Sequence, residues 1–434
     1  MEHAAAAHDV PRLPRLPHPV TAMTDPCCPE FARLSRRGLF SGAVALAGAT
    51  TIVGTAAITT SAAALAPAPS VLVVLSLRGA ADGLSLVVPH ADPVYYSARP
   101  SIAVPAAALL AKDAMFGLHP ALEPLLPLWR AGRLAAVHAT GLPAPNRSHF
   151  SAMEEVEDAD PGSEVRTGWL NRLIGTDPGT SPLQGFNVGG GVVPTSLYGP
   201  QGVMSAGDVD SVRIPGDDKW DTTKGRRSSL HRLWDDDRST LGTAMRSMFA
   251  ALDDFAPARE SADNAEAYPR TDIGRALSEV ARVIRGDVGV EVITVDQGDW
   301  DMHSDVGSVE RGWLRDNARD LAAAIAAFFG DLGDQASKVT LVTISEFGRR
   351  VVENDSYGLD HGYGNVMFLA GAGVKGGRYY GTWPGLSAEL DSDLLVTTDY
   401  RSVLAEVVST RFGASTAAVF PRFSPEPVGV MTSL

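Results

Sequence analysis

Seven residues of this sequence have side chains suited to hydrolytic chemistry, and each lies after an apolar run. Carboxylates and neutral imidazoles, with no thiolate among them, bind divalent zinc, manganese, iron or magnesium. An arginine beside a hydroxyl at the start of a helix makes a site for an anion. The pattern predicts a divalent-metal site next to an anion-binding group. The metal candidates are Asp82, Asp299, His303, Glu346 and His361, and the catalytic candidates are Arg147 and Ser148.

The apolar, β-branched run Val339–Ile344 predicts a buried strand at the centre of the fold. Ser345 and Glu346 follow it at once, and a loop rich in Gly, Asn and Asp then ends in Asp360 and His361. Polar groups just past the carboxyl end of a strand lie where an open α/β sheet binds its ligand. This stretch is therefore the predicted centre of the site.

Three further apolar runs predict strands that would carry the other candidates to the same edge of the sheet. The segment after the third run, Asp296–His303, holds three carboxylates and one imidazole, a density that packing does not explain. Groups far apart in sequence can meet in space at such an edge. The runs are Val71–Leu77 before Asp82, Leu134–Ala139 before Arg147 and Ser148, and Val288–Val295 before Asp299 and His303.

Each candidate taken singly also has a structural interpretation. Asp82 follows Gly79 in a tight turn and is equally suited to cap that turn. Ser148 could cap the helix that begins near it. His303 and His361 could simply hydrogen-bond within polar loops. The metal hypothesis therefore depends on the conjunction of these residues, and not on any one of them.

The predicted fold class is α/β, with a mostly parallel central sheet between helices. Leu118–Trp129, Leu314–Phe329 and Thr398–Phe412 carry apolar residues at helical spacing, as expected of helices that cover a sheet. No composition shift separates two independent cores after residue 66. We therefore predict one domain over residues 67–434, preceded by a distinct segment over residues 1–66.

Residues 1–66 have the order of a twin-arginine export signal, in which an aperiodic start precedes an apolar helix. Arg36 and Arg37 precede the small-residue apolar run Ala43–Ala57, and Ala64-Leu65-Ala66 resembles a cleavage site. We expect the twin-arginine translocase as partner, export to the periplasm or medium, and no stable membrane span after cleavage. A transmembrane anchor is the alternative, and Met23 is an alternative start.

Charge and cysteine content narrow the functional classes. The net charge is −14 at pH 7, which argues against non-specific binding to nucleic acid. The two cysteines, Cys27 and Cys28, both lie in the predicted signal. The remaining chain therefore cannot form a disulfide or a thiolate metal site.

Several motifs together resemble one known family. LSLRGAADGL, the NRSHF of residues 146–150, DQGDWDMH and TISEFGRRVVENDSYGLDHGYGN are similar to the domain-of-unknown-function 1501 family over nearly all of residues 70–412. That family consists of exported bacterial proteins related to the alkaline phosphatase and sulfatase superfamily. The resemblance implies a three-layer alkaline-phosphatase-like sandwich with a two-metal site at the strand ends.

The resemblance also implies roles for the candidates. Asp82 resembles the first metal-binding aspartate of the superfamily, Asp299 and His303 resemble its Asp-x-x-x-His pair, and His361 resembles its late metal-binding histidine. Glu346-Phe347 stands where an Asp-His pair is usual. Because phenylalanine cannot coordinate a metal, one metal site is expected to be stronger than the other.

The nucleophile position departs from the superfamily pattern. The sulfatase Cys-x-Pro-x-Arg motif aligns with Pro143-x-Pro145-x-Arg147, which puts proline where the nucleophile would stand. Ser148 is the nearest replacement, and Arg147 would clamp the anionic group.

Two functions follow from this pattern. The first is a metal-dependent hydrolase of phosphate or sulfate esters that binds zinc or manganese, with one site favoured over two. The alternative is a non-catalytic extracytoplasmic protein that binds a small anionic or carbohydrate ligand.

We predict that replacing Arg36 and Arg37 together by lysine abolishes export. The twin-arginine route requires the paired guanidiniums, whereas general secretory signals tolerate lysine. Cell fractionation followed by immunoblotting measures the outcome, and export of the double variant at the wild-type level would contradict this prediction.

Overall fold

The apolar runs predicted as strands form the centre of one mixed β-sheet. The computed structural model describes residues 50–53, 66–177, 181–189, 192–214 and 222–432, all within one compact unit that spans residues 43–434. Its strands are β1 (Thr50–Val53), β2 (Val71–Leu77), β3 (Val87–Val88), β4 (Gly117–Leu118), β5 (Leu134–Gly141), β6 (Gly185–Val188), β7 (Val203–Ala206), β8 (Val292–Gln297), β9 (Val339–Ile344), β10 (Asn365–Gly371), β11 (Tyr379–Tyr380) and β12 (Thr398–Asp399).

The main sheet has the strand order β1-β7-β6-β8-β2-β9-β10-β5-β11, with β12 also paired to β5. Neighbours within the run β7-β6-β8-β2-β9 are parallel, while β1, β10 and β5 introduce antiparallel pairs. The predicted mostly parallel central sheet is confirmed. The carboxyl ends of its five parallel strands lie along one edge, as the sequence argument required.

Helices make up most of the remaining regular structure. Several begin at side chains that accept a hydrogen bond from a backbone N–H group, as Thr271 does for Gly274. The α-helices are α1 (Gly83–Leu86), α2 (Pro93–Ala98), α3 (Leu126–Arg130), α4 (His149–Asp158), α5 (Trp169–Ile174), α6 (Gly225–Trp234), α7 (Thr240–Asp254), α8 (Ala256–Glu260), α9 (Asp272–Gly286), α10 (Trp313–Asp331), α11 (Tyr400–Phe412) and α12 (Thr416–Val419).

Both faces of the central strand β2 are buried, because successive side chains of a strand point to opposite faces. Val73 and Leu75 belong to one apolar core, which includes residues of α9 and α10. Leu72 and Val74 belong to a second core, which includes residues of α4, α5 and α11. Helices therefore cover both sides of the sheet, which accounts for the continuous apolar sequence of β2.

One predicted helix has a different structure. Leu118–Trp129 divides into the end of β4, a 3₁₀ turn over Pro120–Leu125 and the short helix α3. Prolines at positions 120, 124 and 127 explain the difference, because proline lacks the N–H group that an α-helix needs at each interior turn. The apolar residues at helical spacing therefore lie on a 3₁₀ turn and a short α-helix, and not on one continuous α-helix.

The predicted export signal lies mostly outside the described residues, including Arg36, Arg37 and the cleavage site up to position 65. Thr50–Val53, which falls within the run predicted as an apolar helix, instead forms β1 and pairs antiparallel with β7. β-branched residues dominate this short stretch and favour a strand. Within the described part of the chain, no helix combines the length and apolarity needed to span a bilayer.

Candidate metal centre

The ends of β2 and β9 are joined by a network centred on Glu346, which is 3% exposed. The Glu346 carboxylate accepts a hydrogen bond from the backbone N–H of Gly79 at 2.8 Å and from the Ser345 hydroxyl at 3.0 Å. Gly79 has φ +106°, and a Cβ there would lie 2.6 Å from the backbone nitrogen of Asp301. Glycine is therefore required where the turn after β2 meets the segment after β8.

Three side chains from three separate segments converge beside this network. His149 is the first residue of α4, Asp301 follows β8, and His361 lies in the loop between β9 and β10. Their ligand atoms form a triangle: Nε2 of His149 lies 2.9 Å from Nε2 of His361, and Oδ1 of Asp301 lies 3.5 Å from the first nitrogen and 3.7 Å from the second. This group has the composition of a metal site.

Hydrogen bonds determine which nitrogen each imidazole presents to this triangle. Nδ1 of His149 lies 2.7 Å from the carboxylate of Glu346, and Nδ1 of His361 lies 2.8 Å from the carbonyl oxygen of Arg147. Carboxylate and carbonyl oxygens only accept, so both Nδ1 atoms carry the proton and donate. In the neutral rings, each Nε2 atom at a corner of the triangle therefore keeps a lone pair that can bind a metal.

These donors fit a divalent cation. Two facing lone pairs at 2.9 Å repel each other unless a proton or a cation lies between them. A triangle of this size accommodates an ion about 2 Å from each corner, the usual distance from zinc to nitrogen or carboxylate oxygen. Two imidazoles and one carboxylate are also a donor set that zinc and manganese accept. His149, Asp301 and His361 would hold the ion, and Glu346 would orient His149.

His303 lies at the edge of this group. Its Nε2 atom is 2.9 Å from Nε2 of His361 and 3.1 Å from Oδ1 of Asp301, and its Nδ1 atom is 3.0 Å from the carboxylate of Asp360. The guanidinium of Arg349, 3.4 Å away, faces the Nε2 lone pair of His303. His303, which the sequence predicted as a metal ligand, is not one of the three converging residues but lies within reach of two of them, so it is a candidate for a further ligand.

Electrostatics keep the group in its metal-binding protonation states. Burial lowers the pKa of His361, and the neighbouring His149 lowers it further. Burial of Asp301 opposes ionisation, but the hydrogen bond from Arg349 at 2.6 Å, the charge of Arg349 and the neighbouring His303 and His149 together outweigh burial and lower the pKa of Asp301. A neutral imidazole and an ionised carboxylate are the forms that coordinate metals. The side chain of Asp301 is 50% exposed, so the group is open to solvent on one side.

The structure places Asp82 away from this group. Both of its carboxylate oxygens accept hydrogen bonds from the buried Arg99, at 2.5 and 3.1 Å, and one of them also accepts a hydrogen bond from the backbone N–H of Ser85 in the first turn of α1. The pair is almost completely excluded from solvent. Asp82 therefore caps α1 and pairs with Arg99, which agrees with the structural interpretation of its position in a tight turn.

Asp301 occupies the place in the group that the sequence predicted for Asp299. Asp299, with φ +65°, is exposed and lies outside the three-residue group, whereas Asp301 supplies the carboxylate. The buried Trp300 separates them and anchors the segment by donating its backbone N–H to the carbonyl of Arg78 at 3.3 Å. The sequence identified the eight-residue segment, but it did not identify which of its carboxylates lies in the three-residue group.

The two catalytic candidates lie next to His149 in sequence. Ser148 is exposed and occupies the N-cap position of α4 without a capping hydrogen bond from its side chain. The guanidinium of Arg147 pairs with Asp393, and its backbone carbonyl orients His361. The sequence placed these residues at the start of a helix correctly.

His149 is the functional residue that sequence reasoning missed. It lies 212 positions from His361, and the NRSHF motif was interpreted only through its arginine and serine. A histidine at the first position of a helix that follows a strand was the available signal. Phe347 also gains a role, because its ring packs 4.9 Å from the ring of His149 and 5.0 Å from that of His361.

Replacing Asp82 by alanine should reduce stability without removing metal. It would leave the charge of Arg99 buried and unpaired, which costs about 3–5 kcal/mol. Chemical denaturation measures the loss, and elemental analysis of the folded variant measures the metal. Loss of metal with unchanged stability would contradict this prediction and indicate that Asp82 is a metal ligand.

Replacing His149 by alanine should remove the metal from dialysed protein, because it deletes one of three ligands. His231→Ala is a matched control, since Nδ1 of His231 also pairs with a carboxylate, that of Asp235 at 3.0 Å, on a helix outside the group. Elemental analysis should find near-stoichiometric zinc or manganese in wild type and control, and little in His149→Ala. Equal metal in all three proteins would contradict the site.

Comparison with known proteins places the chain in a family. The model of the family described as "Protein of unknown function (DUF1501)" matches residues 69–407. No curated protein matches the sequence. The matched region contains every residue of the candidate metal centre. The chain therefore belongs to the DUF1501 family, as its motifs indicated.

Proposed function

We propose that this protein is a divalent-metal-dependent hydrolase of phosphate or sulfate esters. The observation that carries the proposal is the convergence of His149, His361 and Asp301, with both Nδ1 atoms already committed to acceptors outside the group. An acceptor that holds the other nitrogen of the imidazole in this way is typical of histidines that bind metals. The group also lies at the carboxyl edge of the parallel strands, where α/β proteins bind ligands.

The chemistry divides between the metal and the chain. A bound divalent ion polarises an ester oxygen and lowers the pKa of a water molecule or hydroxyl. Glu346 and Arg349 keep His149 and Asp301 in place, so that the ligands need not reorganise during turnover. Ser148, exposed beside His149, is the nucleophile in this proposal, and a water molecule is the alternative.

The anionic part of the substrate would lie at the start of α4. The N–H groups in the first turn of a helix carry partial positive charge and favour an anion. Ser148 leaves these groups uncapped by its side chain, and the side chain of Arg147 is 42% exposed nearby in sequence. Arg147 would contribute its charge after exchanging Asp393 for the substrate.

The proposal includes the finer fold and compartment suggested by the sequence. Helices on both faces of the mostly parallel sheet are compatible with an alkaline-phosphatase-like sandwich. Export through the twin-arginine translocase would allow the protein to fold and acquire its metal before crossing the membrane. The protein would then act in the periplasm or the medium.

One observation favours the alternative of a non-catalytic binding protein. The guanidinium of Arg147 is already neutralised by Asp393, whose side chain is only 10% exposed. A protein that binds a small anionic or carbohydrate ligand at a metal needs no free arginine and no nucleophile. Metal binding is common to both candidates, whereas turnover distinguishes them.

We predict that the metal-loaded protein hydrolyses p-nitrophenyl phosphate or p-nitrophenyl sulfate and that Asp301→Asn lowers kcat/KM by about 100-fold or more, because it weakens a metal ligand. Asp299→Asn is the matched control. It removes the same charge two positions earlier, and asparagine tolerates the left-handed backbone found there. Initial rates with added zinc or manganese provide the measurement.

Equal loss of activity in both variants would contradict the assignment of Asp301. A wild-type protein that binds metal stoichiometrically, binds phosphate or sulfate, and hydrolyses neither ester would favour the binding-protein alternative. A wild-type protein that binds no metal would exclude the proposed hydrolase mechanism.

A further inference from the structure

A cavity of about 650 Å³ lies at the carboxyl edge of the sheet, and no residue of the candidate metal centre lines it. Its walls include the residues after β6, the end of β8, the first turns of α9 and the side chain of Arg78. Ligand pockets in proteins usually measure about 300–1,000 Å³. The volume is therefore sufficient for a small organic molecule and much larger than a single ion requires.

The cavity lies where the connections of two neighbouring strands of the sheet diverge. From the carboxyl end of β6 the chain continues to β7 on one side, whereas from the carboxyl end of β8 it continues through α10 to β9 on the other. β6 and β8 are neighbours, so their connections diverge and leave a crevice between them. Such a topological switch point is where open α/β sheets bind ligands. The cavity lies there, between Asn187–Gly189 and Asp296.

The lining indicates the charge of the ligand. It contains five carboxylates and two guanidiniums. Arg78 is shared between Asp296, at 3.1 Å, and Glu157, at 2.6 Å, while Arg275 pairs with Asp272. Glu279 pairs at 3.4 Å with Arg282, which is buried and is not part of the lining. Among the described residues, no ion pair involves Asp208 or Asp263. The cavity therefore has an excess of negative charge, which opposes entry of an anionic ester and favours a cation.

The lining also has an apolar component, which indicates an organic cation. Val188, Val192 and Pro194 form part of one wall, and Ala276 on α9 faces the same space between the turns of Asp272 and Glu279. A site for a bare ion would offer converging oxygen ligands at close range. Apolar walls beside carboxylates instead suit a carbon chain that bears one or more ammonium groups.

We propose that this cavity binds an organic amine, a ligand class separate from the anionic ester proposed for the metal centre. The carboxylates of Asp208 and Asp263 attract its ammonium groups, and Val188, Val192 and Ala276 contact its carbon chain. The turn that carries Arg78 also carries Gly79, whose N–H supports Glu346 at the metal centre. The two sites thus share one turn but no lining residue.

The test uses the full chain, freed of metal with a chelator so that its outcome is independent of hydrolysis. Isothermal titration calorimetry with spermidine, the probe for an organic amine, should show one saturable site whose affinity falls as salt increases. Tetraethylene glycol, an uncharged chain, and suberate, a dianion, should not bind. Absence of spermidine binding, or equal binding of tetraethylene glycol, would overturn the proposal.

Ala276→Leu should reduce spermidine affinity about tenfold or more, because the larger side chain fills the cavity. Ala326→Leu is the matched control, since Ala326 is also a half-buried helical alanine against the same core but lies outside the lining. Equal affinity in the two variants would locate spermidine on the acidic surface and overturn the proposal.

A second variant protects the test against a folding defect in Ala276→Leu. Asp208→Asn combined with Asp263→Asn removes two charges, while the asparagine oxygens can still accept the backbone hydrogen bonds that Asp208 receives from Ser211 and Asp263 from Ala265. Spermidine affinity should fall about five- to twentyfold with an unchanged melting temperature. Unchanged affinity in this double variant would also overturn the proposal.

Discussion

The buried guanidinium of Arg349 is the interaction on which the functional edge of this protein depends. It is 1% exposed, and it donates to the carbonyls of Gly79 at 2.5 Å, Ala80 at 2.7 Å and Leu359 at 2.9 Å. It also reaches the carboxylate of Asp301 at 2.6 Å. One rigid planar group thereby joins the segments that follow β2, β8 and β9. The buried charge is stabilised by complete hydrogen bonding, since an unpaired one would cost several kcal/mol.

A second carboxylate extends this arrangement to the helix on the other side. Glu346 receives hydrogen bonds from Gly79 and from His149, so the turn after β2 and the first residue of α4 are held together. In the candidate metal centre, Glu346 therefore holds His149 and Arg349 holds Asp301. Glu346 and Arg349 are themselves held by the turn after β2. Such preorganisation is what metal chemistry requires of its ligands.

The edge of the sheet carries two regions of different chemistry. At the metal centre, Arg349 offsets one of the two carboxylates of Asp301 and Glu346, and a divalent ion would make the group net positive. In the cavity beside β6 and β8, carboxylates exceed guanidiniums. The two regions are therefore expected to bind ligands of opposite charge. They are close together, since Arg78 lines the cavity and the adjacent Gly79 donates its N–H to Glu346 at the metal centre. Charge distribution and not overall net charge determines what each region can bind.

The sequence by itself determined the strands and the edge where polar groups gather. The runs Val71–Leu77 and Val339–Ile344 are mostly apolar because both faces of a central parallel strand are covered, and that pattern is visible without coordinates. The family membership was also available from local motifs. The presence of His303 and His361 at one place followed from the strand ends alone.

Only the tertiary structure decided which of these groups meet. Asp301 rather than Asp299 supplies the carboxylate because Arg349, 48 positions later, holds it in place. Asp82 is committed to Arg99, and His149 reaches His361 across 212 positions through the packing of α4 against the sheet. Side-chain direction in irregular segments after strands has no sequence period comparable to that of a strand or helix. It is determined by partners distant in the chain, which a local pattern cannot specify.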